Sequence, residues 1–129
     1  MFVITILGNT ISKKNSRQII VTGDGRRRVV ASKPYLEWER YALLQLRQVP
    51  LAGKVWRYPL RIKFHYVRAT RRPFDYNNMS QGPLDVLQQA GIIADDDMLH
   101  VIPTEPSWSV DKDNPRVEIA ITEANNETI

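Results

Sequence analysis

The stretch from 60 to 68 constrains the fold more than any other, because its apolar and polar residues alternate with a period of two. Its apolar members are Leu60, Ile62, Phe64 and Tyr66, and the polar members between them are Arg61, Lys63 and His65. Such alternation is typical of a strand with one face on a core and the other in solvent. The stretch therefore predicts a sheet strand with one apolar face and one basic face.

The two ends of the chain carry similar strand signals. Residues 2–7 alternate and are rich in β-branched side chains, and residues 116–122 alternate through Val117, Ile119 and Ile121. Residues 99–102 are expected to resume the sheet. Residues 103–115 show no sustained period and predict an irregular excursion.

A basic hairpin is expected near the N-terminus. Residues 19–21 and 29–31 flank Thr22–Gly25, whose glycines can adopt positive φ, so the two runs are expected to pair. The second arm opens with Arg26, Arg27 and Arg28. Three adjacent arginines on a strand point to both faces, which fits a projecting arm that contacts DNA or RNA. A solvated charged edge that discourages aggregation explains the same residues equally well.

Two helices are predicted. The first begins at Ser32–Pro34, with the serine near the cap and the proline in the first turn, and its apolar face comprises Tyr35, Trp38, Ala42, Leu43 and Leu46. The second is shorter, and its apolar residues are Leu84, Val86, Leu87 and Ala90. Pro83 is expected in its first turn, because a proline deeper inside would remove a backbone hydrogen bond. Gly91 can end this helix in the left-handed conformation.

Length and pattern together predict one α+β domain over residues 1–129, with a mixed β-sheet, two main helices and the basic hairpin. At 129 residues the chain is long enough for one core and too short for two comfortable domains. Residues 123–129 are polar and are expected to form a frayed tail.

Composition excludes several classes of protein. No apolar run approaches the roughly 20 residues needed to cross a bilayer, so no membrane partner is expected. The N-terminus lacks the basic start and cleavage site of a signal peptide, which makes the cytoplasm the expected compartment. The absence of cysteine excludes disulfides and thiolate zinc sites. The chain has no Gly-rich phosphate loop, nucleophile elbow or His-Glu zinc motif, so no nucleotide cofactor is expected.

Charge is divided unevenly along the chain. Residues 1–72 contain 16 Lys and Arg and 3 Asp and Glu, a net charge of +13, whereas residues 73–129 contain 2 and 11, a net charge of −9. This division predicts a cationic surface for a polyanion beside a separate anionic site. The candidate DNA-binding residues are Lys13, Lys14, Arg17, Arg26, Arg27, Arg28, Arg71 and Arg72. Attraction between the two halves of the folded domain explains the same division without a partner.

Arg71 and Arg72 lead into an acidic stretch that begins at Asp75 and ends with Asp95–Asp97. Hard divalent cations prefer carboxylate and water oxygens, with substrate phosphate completing their coordination. The two acidic ends are separated by a helix, a spacing that can bring them together beside one sheet. We therefore expect metal-assisted phosphodiester hydrolysis, with the arginines neutralising phosphate charge. Taken singly, Asp75 also fits an Asx turn and the aspartate triplet a solvated turn.

The same stretch resembles the RusA-type Holliday junction resolvases of bacteria and their prophages. That family's pattern is Asp-x-Asp-Asn, a lysine four residues past the second aspartate, another aspartate four further on, then Gly and Asp-Asp. The corresponding residues here are Asp75-Tyr76-Asn77-Asn78-Met79-Ser80-Gln81-Gly82-Pro83-Leu84-Asp85, then Ala90-Gly91 and Asp95-Asp96. The resemblance covers most of the chain, and its specific part is confined to residues 71–97.

The resemblance implies an endodeoxyribonuclease that cuts four-way DNA junctions in recombination and repair. It implies a homodimer that uses Mg²⁺, with Mn²⁺ as an alternative, and it assigns metal binding to Asp75 and Asp96 with Asp95 close by. Asn77 stands where the family has its second metal-binding aspartate, and Gln81 stands where it has its catalytic lysine. Asn77 offers a neutral carbonyl oxygen and should weaken Mg²⁺ binding. Gln81 donates a hydrogen bond but supplies no cation.

These departures leave two alternatives open beside the nuclease. One is a non-catalytic relative that binds junctions or other DNA through the basic surface while its metal site is degenerate. The other is an RNA-binding module whose acidic loop has no chemical role. Pro83 is a third departure, and because the residue before a proline avoids helical geometry, the helix that carries position 81 is expected to start later than in the family.

Overall fold

The computed structural model of the protein describes residues 1–13 and 17–124, and of residues 17 and 18 it describes the backbone. The elements in chain order are β1 (Phe2–Leu7), β2 (Arg17–Val21), β3 (Arg27–Ala31), α1 (Lys33–Leu46), β4 (Leu60–Arg68), α2 (Tyr76–Gln89), β5 (Val101–Pro103), β6 (Ser107–Val110) and β7 (Arg116–Glu123). They form one α+β domain, as the sequence predicts.

The main sheet is built around β4. Its strand order is β1-β7-β4-β5, and β6 also pairs with β4. The pairings of β1 with β7 and of β7 with β4 are antiparallel, whereas β5 and β6 run parallel to β4. The short strands β5 and β6 lie one after the other along the same edge of β4, beside its first and second halves. The sheet is therefore mixed, as predicted.

One face of this sheet and the two helices enclose the core. The alternation in β4 is confirmed, since its buried residues include Leu60, Ile62, Phe64 and Tyr66. The matching positions of β7 are Val117, Ile119 and Ile121, and those of β1 are Ile4 and Ile6. The helices contribute apolar residues to the same cluster, among them Tyr35, Trp38, Ala42, Leu46, Met79, Val86 and Leu87. Burial on one face alone explains why the opposite positions of β4 are polar.

Helix α1 forms where the sequence predicts it. The Ser32 side chain accepts a hydrogen bond from the Tyr35 backbone N–H at 3.4 Å, which satisfies one of the free donors of the first turn. Pro34 lies in that first turn, where its missing N–H has no helical partner to lose.

Neither helix in the described part of the chain is long and apolar enough to cross a membrane.

Helix α2 begins earlier than predicted, and the expectation that Pro83 lies in its first turn is wrong. The helix starts at Tyr76, because the Asp75 side chain caps it, so Pro83 falls inside. A proline there leaves the i−4 carbonyl, that of Met79, without its helical donor. Packing compensates, since Pro83 is buried and its neighbour Gly82 lies against the rings of Tyr35 and Trp38 on α1. The helix therefore presents position 81 from its second turn, contrary to the expected late start.

The prediction of irregular structure over 103–115 is wrong for residues 107–110. These residues form β6, which pairs with β4 from His65 to Arg68. The ring of His65 reinforces this pairing, with Nδ1 2.6 Å from the Ser107 hydroxyl and Nε2 2.9 Å from the Ser109 hydroxyl. A four-residue strand of this kind has no pattern of its own and forms because β4 offers an unpaired edge.

The hairpin and the chain end complete the fold. β2 and β3 pair antiparallel in a separate two-stranded sheet, as predicted, and Gly25 at their turn has φ of +81°. β7 confirms the last predicted strand and includes Glu123. Most of the predicted frayed tail, residues 125–129, lies outside the described residues. Gly91 ends α2 with φ of +74°, also as predicted.

Candidate nucleic-acid and metal site

Asp75 lies at the point where the chain leaves the sheet and enters α2. Its Oδ1 accepts hydrogen bonds from the backbone N–H groups of Asn77 at 2.8 Å and Asn78 at 3.3 Å. The local sequence folds this way because aspartate is a preferred N-cap and the positive end of the helix dipole favours a carboxylate. Among the described residues, both hydrogen bonds to this carboxylate use Oδ1, so Oδ2 remains for another ligand.

Arg71 and Arg72 precede this cap and are exposed. In the described part of the chain, neither guanidinium forms an ion pair with a carboxylate. They line an open groove of about 260 Å³ together with aromatic residues; its lining is Arg71, Arg72, Pro73, Phe74, Tyr76 and Trp108, and we call it the Trp108 groove. Two exposed arginines therefore line a groove at the end of β4 that leads into the Asp75 cap, and their predicted role in binding phosphate stays a prediction.

A second groove lies directly beside the first and shares Arg72, Pro73 and Phe74 with it. Its other wall includes the segment from Asn9 to Ser12. The Arg68 guanidinium holds the two walls together, with Nη1 donating to the Thr10 carbonyl at 2.5 Å and the group lying 5.1 Å from the centre of the Phe74 ring. Burial lowers the pKa of Arg68, but an arginine remains charged at neutral pH. The Arg68 guanidinium therefore has a structural role, whereas Arg72 is exposed and lines both grooves.

Asn77 and Gln81 lie on α2, one turn apart. Gln81 is exposed, and Asn77 lines a mostly apolar pocket of about 160 Å³ between α2 and the β4–β5 edge. Tyr66 and Thr104 also line this pocket, and each has a buried hydroxyl oxygen without a hydrogen-bond partner. Burial raises the pKa of Tyr66, so its hydroxyl is neutral and can donate a hydrogen bond to a group in the pocket.

The aspartate triplet follows α2 and is held by local hydrogen bonds. Asp95 Oδ1 accepts from Gln88 Nε2 at 3.2 Å and from the Asp96 backbone N–H at 2.7 Å. Asp97 Oδ1 lies 2.6 Å from His100 Nδ1, and this hydrogen bond is the main reason that the pKa of Asp97 is lowered. The ligand atoms of Asp95, Asp97 and His100 all lie within 4.8 Å of one another.

The structure does not bring Asp75 together with the triplet within one chain. Asp75 caps the first turn of α2, whereas Asp95 contacts Gln88 in its last turn, and a helix of 14 residues is about 21 Å long. Contacts at the two ends of β4 show the same separation between Asp75 and the aspartate triplet. Tyr66 near its end contacts Tyr76, while the Leu60 backbone N–H at its start donates to the His100 carbonyl. The predicted meeting of two loop ends beside one sheet therefore does not occur.

This separation decides how the predicted metal ligands can be used. Two oxygen ligands of one Mg²⁺ lie within about 4.2 Å of each other, because each is about 2.1 Å from the ion. Asp75 and Asp96 at opposite ends of α2 do not fit one ion in a single chain. Asp75 and Asn77 lie together at the N-terminal end of α2. Asp95, Asp97 and His100 form the three-residue cluster at the other end. The hydrogen bonds of Asp95 with Gln88 and Asp96, and of Asp97 with His100, account for its geometry without an ion.

The predicted DNA-binding residues are placed unequally. On the exposed hairpin, Arg26 Nε lies 3.5 Å from Asp24, while Arg27 and Arg28 are exposed on β3. Lys13 Nζ lies 3.5 Å from Asp85 Oδ2, so the motif aspartate at 85 pairs with one of the predicted DNA-binding cations. Lys14 lies outside the described residues. Arg17 is the first residue of β2, and of this residue the structure describes only the backbone.

Three features of the site were missed in the sequence. Trp108 was assigned to an irregular segment, and an exposed tryptophan in a polar stretch was the available signal. Asp97 and His100 were not paired, although a spacing of three residues in a short turn brings such side chains together. Arg68 was not singled out, and its contacts with Thr10 and Phe74 had no signature in sequence.

Comparison with protein-family models gives no match, and comparison with curated proteins gives none either. The resemblance to RusA-type resolvases therefore depends on the motif residues between 71 and 97.

Proposed function

We propose that this protein is a structure-specific endodeoxyribonuclease that resolves four-way DNA junctions by metal-dependent hydrolysis of phosphodiester bonds, in recombination and repair in the cytoplasm. The observation that carries the proposal is that Arg71 and Arg72, exposed and without carboxylate partners among the described residues, line the groove that the chain leaves just before Asp75, whose Oδ2 accepts no hydrogen bond from those residues. The arginines would hold a phosphate at the mouth of the Trp108 groove. A bound divalent cation would supply Lewis acidity and an activated water there.

Because α2 separates Asp75 from Asp96 within one chain, the proposal includes a homodimer in which the two residues meet across the interface. A two-fold axis perpendicular to α2 would place this helix antiparallel to the same helix of the partner subunit, because a rotation of 180° about such an axis reverses the helix direction. The N-terminal end that carries Asp75 would then lie beside the C-terminal end that leads to the partner's Asp96. The dimer would contain two such composite sites. Two sites in one symmetric particle suit the paired cuts that junction resolution requires.

Mixing two inactive variants tests the composite site. Asp75→Asn and Asp96→Asn homodimers would each lack a residue in both sites. A heterodimer would carry one site with both substitutions and one with neither. Unfolding and refolding an equimolar mixture should therefore restore nicking of a labelled synthetic junction in one strand, although each variant alone is inactive. If the mixture stays inactive while its heterodimers are shown by mass spectrometry, the site is not composite.

The basic test is cleavage of a synthetic four-way junction by highly purified protein over a range of Mg²⁺ and Mn²⁺ concentrations. The expected result is nicking that both single variants abolish. Absence of cleavage at every metal concentration would contradict the nuclease. Tight binding without cleavage would support a non-catalytic DNA-binding relative instead.

That second function is favoured by Asn77 and Gln81. Asn77 removes one negative charge from the site, which weakens attraction for a divalent cation, and Gln81 is an exposed amide where the resembling family has a lysine. The double variant Asn77→Asp with Gln81→Lys distinguishes the two functions. Junction cleavage by the double variant, but not by the natural chain, would identify these two residues as the cause of inactivity. Failure of the double variant to cut would assign the inactivity to another part of the chain.

A further inference from the structure

We propose that the Trp108 groove binds unstacked nucleotides of DNA, with a base stacked on the ring of Trp108 and the adjoining phosphates on Arg71 and Arg72. This inference deepens the proposed function, because it names the part of the DNA that the site receives, and it rests on DNA being the substrate. It is carried by one aromatic ring left open to solvent beside two cations that have no acidic partner in the described part of the chain.

Trp108 differs from the other two tryptophans of the chain. Trp38 and Trp56 are 6% and 5% exposed and belong to the core, whereas Trp108 is 45% exposed. Its strand β6 places it opposite Tyr66 of β4, at the end of the sheet where the chain turns towards Asp75. A large ring that is not used in the core is therefore held at the mouth of the site.

The floor of the groove is made of rings that support one another. The Phe74 and Tyr76 rings meet edge to face with 5.3 Å between their centres. Both also contact the buried ring of Tyr66, at 5.5 Å and 6.2 Å. Because Tyr66 is fixed in the core, these rings are held in place before a ligand arrives, which lowers the entropy cost of binding.

The groove suits the chemistry of an unpaired nucleotide. A cavity of about 150 Å³ can hold a benzene ring, so the volume of about 260 Å³ here is enough for a nucleobase. Aromatic faces beside a cationic track are the usual means of binding single-stranded nucleic acid without sequence preference. A base inside a continuous duplex has both faces covered by its neighbours, so the ring can accept only a base that has left the stack. At the exchange point of a junction, opening of the coaxial stacks would expose such a base.

The test measures binding of a short oligothymidylate to the purified chain, without junction, metal or cleavage. Affinity is measured by the fluorescence anisotropy of a dye-labelled oligonucleotide, which does not depend on tryptophan. Tryptophan fluorescence of the natural chain should also be quenched on binding, and this quenching should be absent in Trp108→Phe because Trp38 and Trp56 are buried. Trp108→Phe should retain affinity within about threefold, since a ring remains for stacking. Trp108→Leu should bind about tenfold more weakly, which is within the range for loss of one stacked base.

Salt dependence separates stacking from charge. Trp108→Leu should weaken binding equally at all salt concentrations, whereas Arg71→Ala should reduce the slope of log affinity against log salt by about 0.7, the value for one phosphate on a single strand. The matched control is Tyr41→Leu, which removes a similarly exposed ring, 48% exposed on α1, and should leave binding unchanged.

Three results would overturn the inference: no binding of the oligonucleotide by the natural chain, unchanged affinity in Trp108→Leu, or an equal loss in Tyr41→Leu. Circular dichroism of each variant would exclude unfolding as the cause of any loss. These outcomes are independent of junction cleavage. If the natural chain binds the oligonucleotide through Trp108 but never cuts a junction, the nuclease is contradicted and this inference is supported. If the natural chain cuts junctions but Trp108→Leu binds the oligonucleotide normally, the nuclease is supported and this inference is contradicted.

Discussion

The Asp75 carboxylate accepts a hydrogen bond of 2.8 Å from the backbone N–H of Asn77, so the residue expected to bind metal is also the cap of α2. Both capping hydrogen bonds use the same oxygen, Oδ1. The structural role and the proposed chemical role therefore use different atoms of one side chain, and suitable substitutions can separate them.

Substitution of Asp75 should separate capping from charge. Asp75→Ala removes the acceptor and should lower the free energy of unfolding by about 1 kcal/mol, the typical cost of losing an N-cap. Asp75→Asn keeps an acceptor oxygen and should cost less than half of that. Junction cleavage should be lost in both, because neither side chain carries a charge. Urea denaturation gives the stabilities, and equal destabilisation by the two variants would contradict the capping role.

Gly82 should be intolerant of a side chain because α2 approaches α1 closely there. An added Cβ would lie 3.1 Å from the Trp38 ring and 3.2 Å from the Tyr35 ring, both buried. Gly82→Val should therefore destabilise the protein by about 1–3 kcal/mol through overpacking. The neighbouring variant Gln81→Val makes the same β-branched change at an exposed position and should cost much less in thermal unfolding. A loss in Gly82→Val no larger than that in Gln81→Val would contradict overpacking, because valine has a higher helix propensity than glycine.

The Asp97–His100 contact should set a pH dependence. The hydrogen bond from His100 lowers the pKa of Asp97 below its ordinary value of 3.8 in the folded chain. A lowered carboxyl pKa contributes stability above the ordinary value, and this contribution is lost as pH falls through the folded pKa. In His100→Ala the pKa of Asp97 should rise towards 3.8, as measured by NMR of the side-chain carboxyl.

Asp24 is the internal control for that titration. Its pKa is also lowered, chiefly by a hydrogen bond from the Thr22 hydroxyl on the distant hairpin turn. It should remain low when His100 is replaced. An Asp97 pKa unchanged by His100→Ala would assign its shift to the backbone N–H of Leu99, which also donates to Oδ1 at 3.0 Å.

The hairpin arginines should contribute unequally to DNA binding. Replacing Arg27 or Arg28 by Ala should each reduce the slope of log affinity against log salt by up to about 0.9, the value for one phosphate contact on duplex DNA. Arg26→Ala should have a smaller effect, because Arg26 already pairs with Asp24. Salt titrations of junction binding measure this. An unchanged slope in the triple alanine variant would assign all three arginines to a solvated edge.

Elements with a clear period were predictable from sequence. The alternation in β4 and β7 and the helical spacing in α1 each reflect burial of one face, and burial on one face of a regular element must appear in the sequence at that element's period. The hairpin was predictable for a different reason, since its glycines permit the turn. The approximate bounds of these four elements agree with the structure.

Two elements were not predictable because their neighbours decide them. The local rule for Pro83 predicted a helix that begins near that residue, but the Asp75 cap and the packing of Gly82 against α1 outweigh the lost hydrogen bond. Strand β6 has only four residues and no alternation, and it exists because β4 has an unpaired edge beside it. In both cases the deciding contact is distant in sequence.

The sequence by itself determined which chemical groups the protein has: a carboxylate at 75 preceded by two arginines, an aspartate triplet 20 residues later, and Asn77 and Gln81 between them. Only the tertiary structure decided which of these groups meet. A helix rises 1.5 Å per residue, so a full-length α2 holds Asp75 and the triplet about 20 Å apart. Pairing of β6 with β4 brings Trp108 to Arg71 and Arg72 instead, because strands that pair are close in space whatever their distance along the chain.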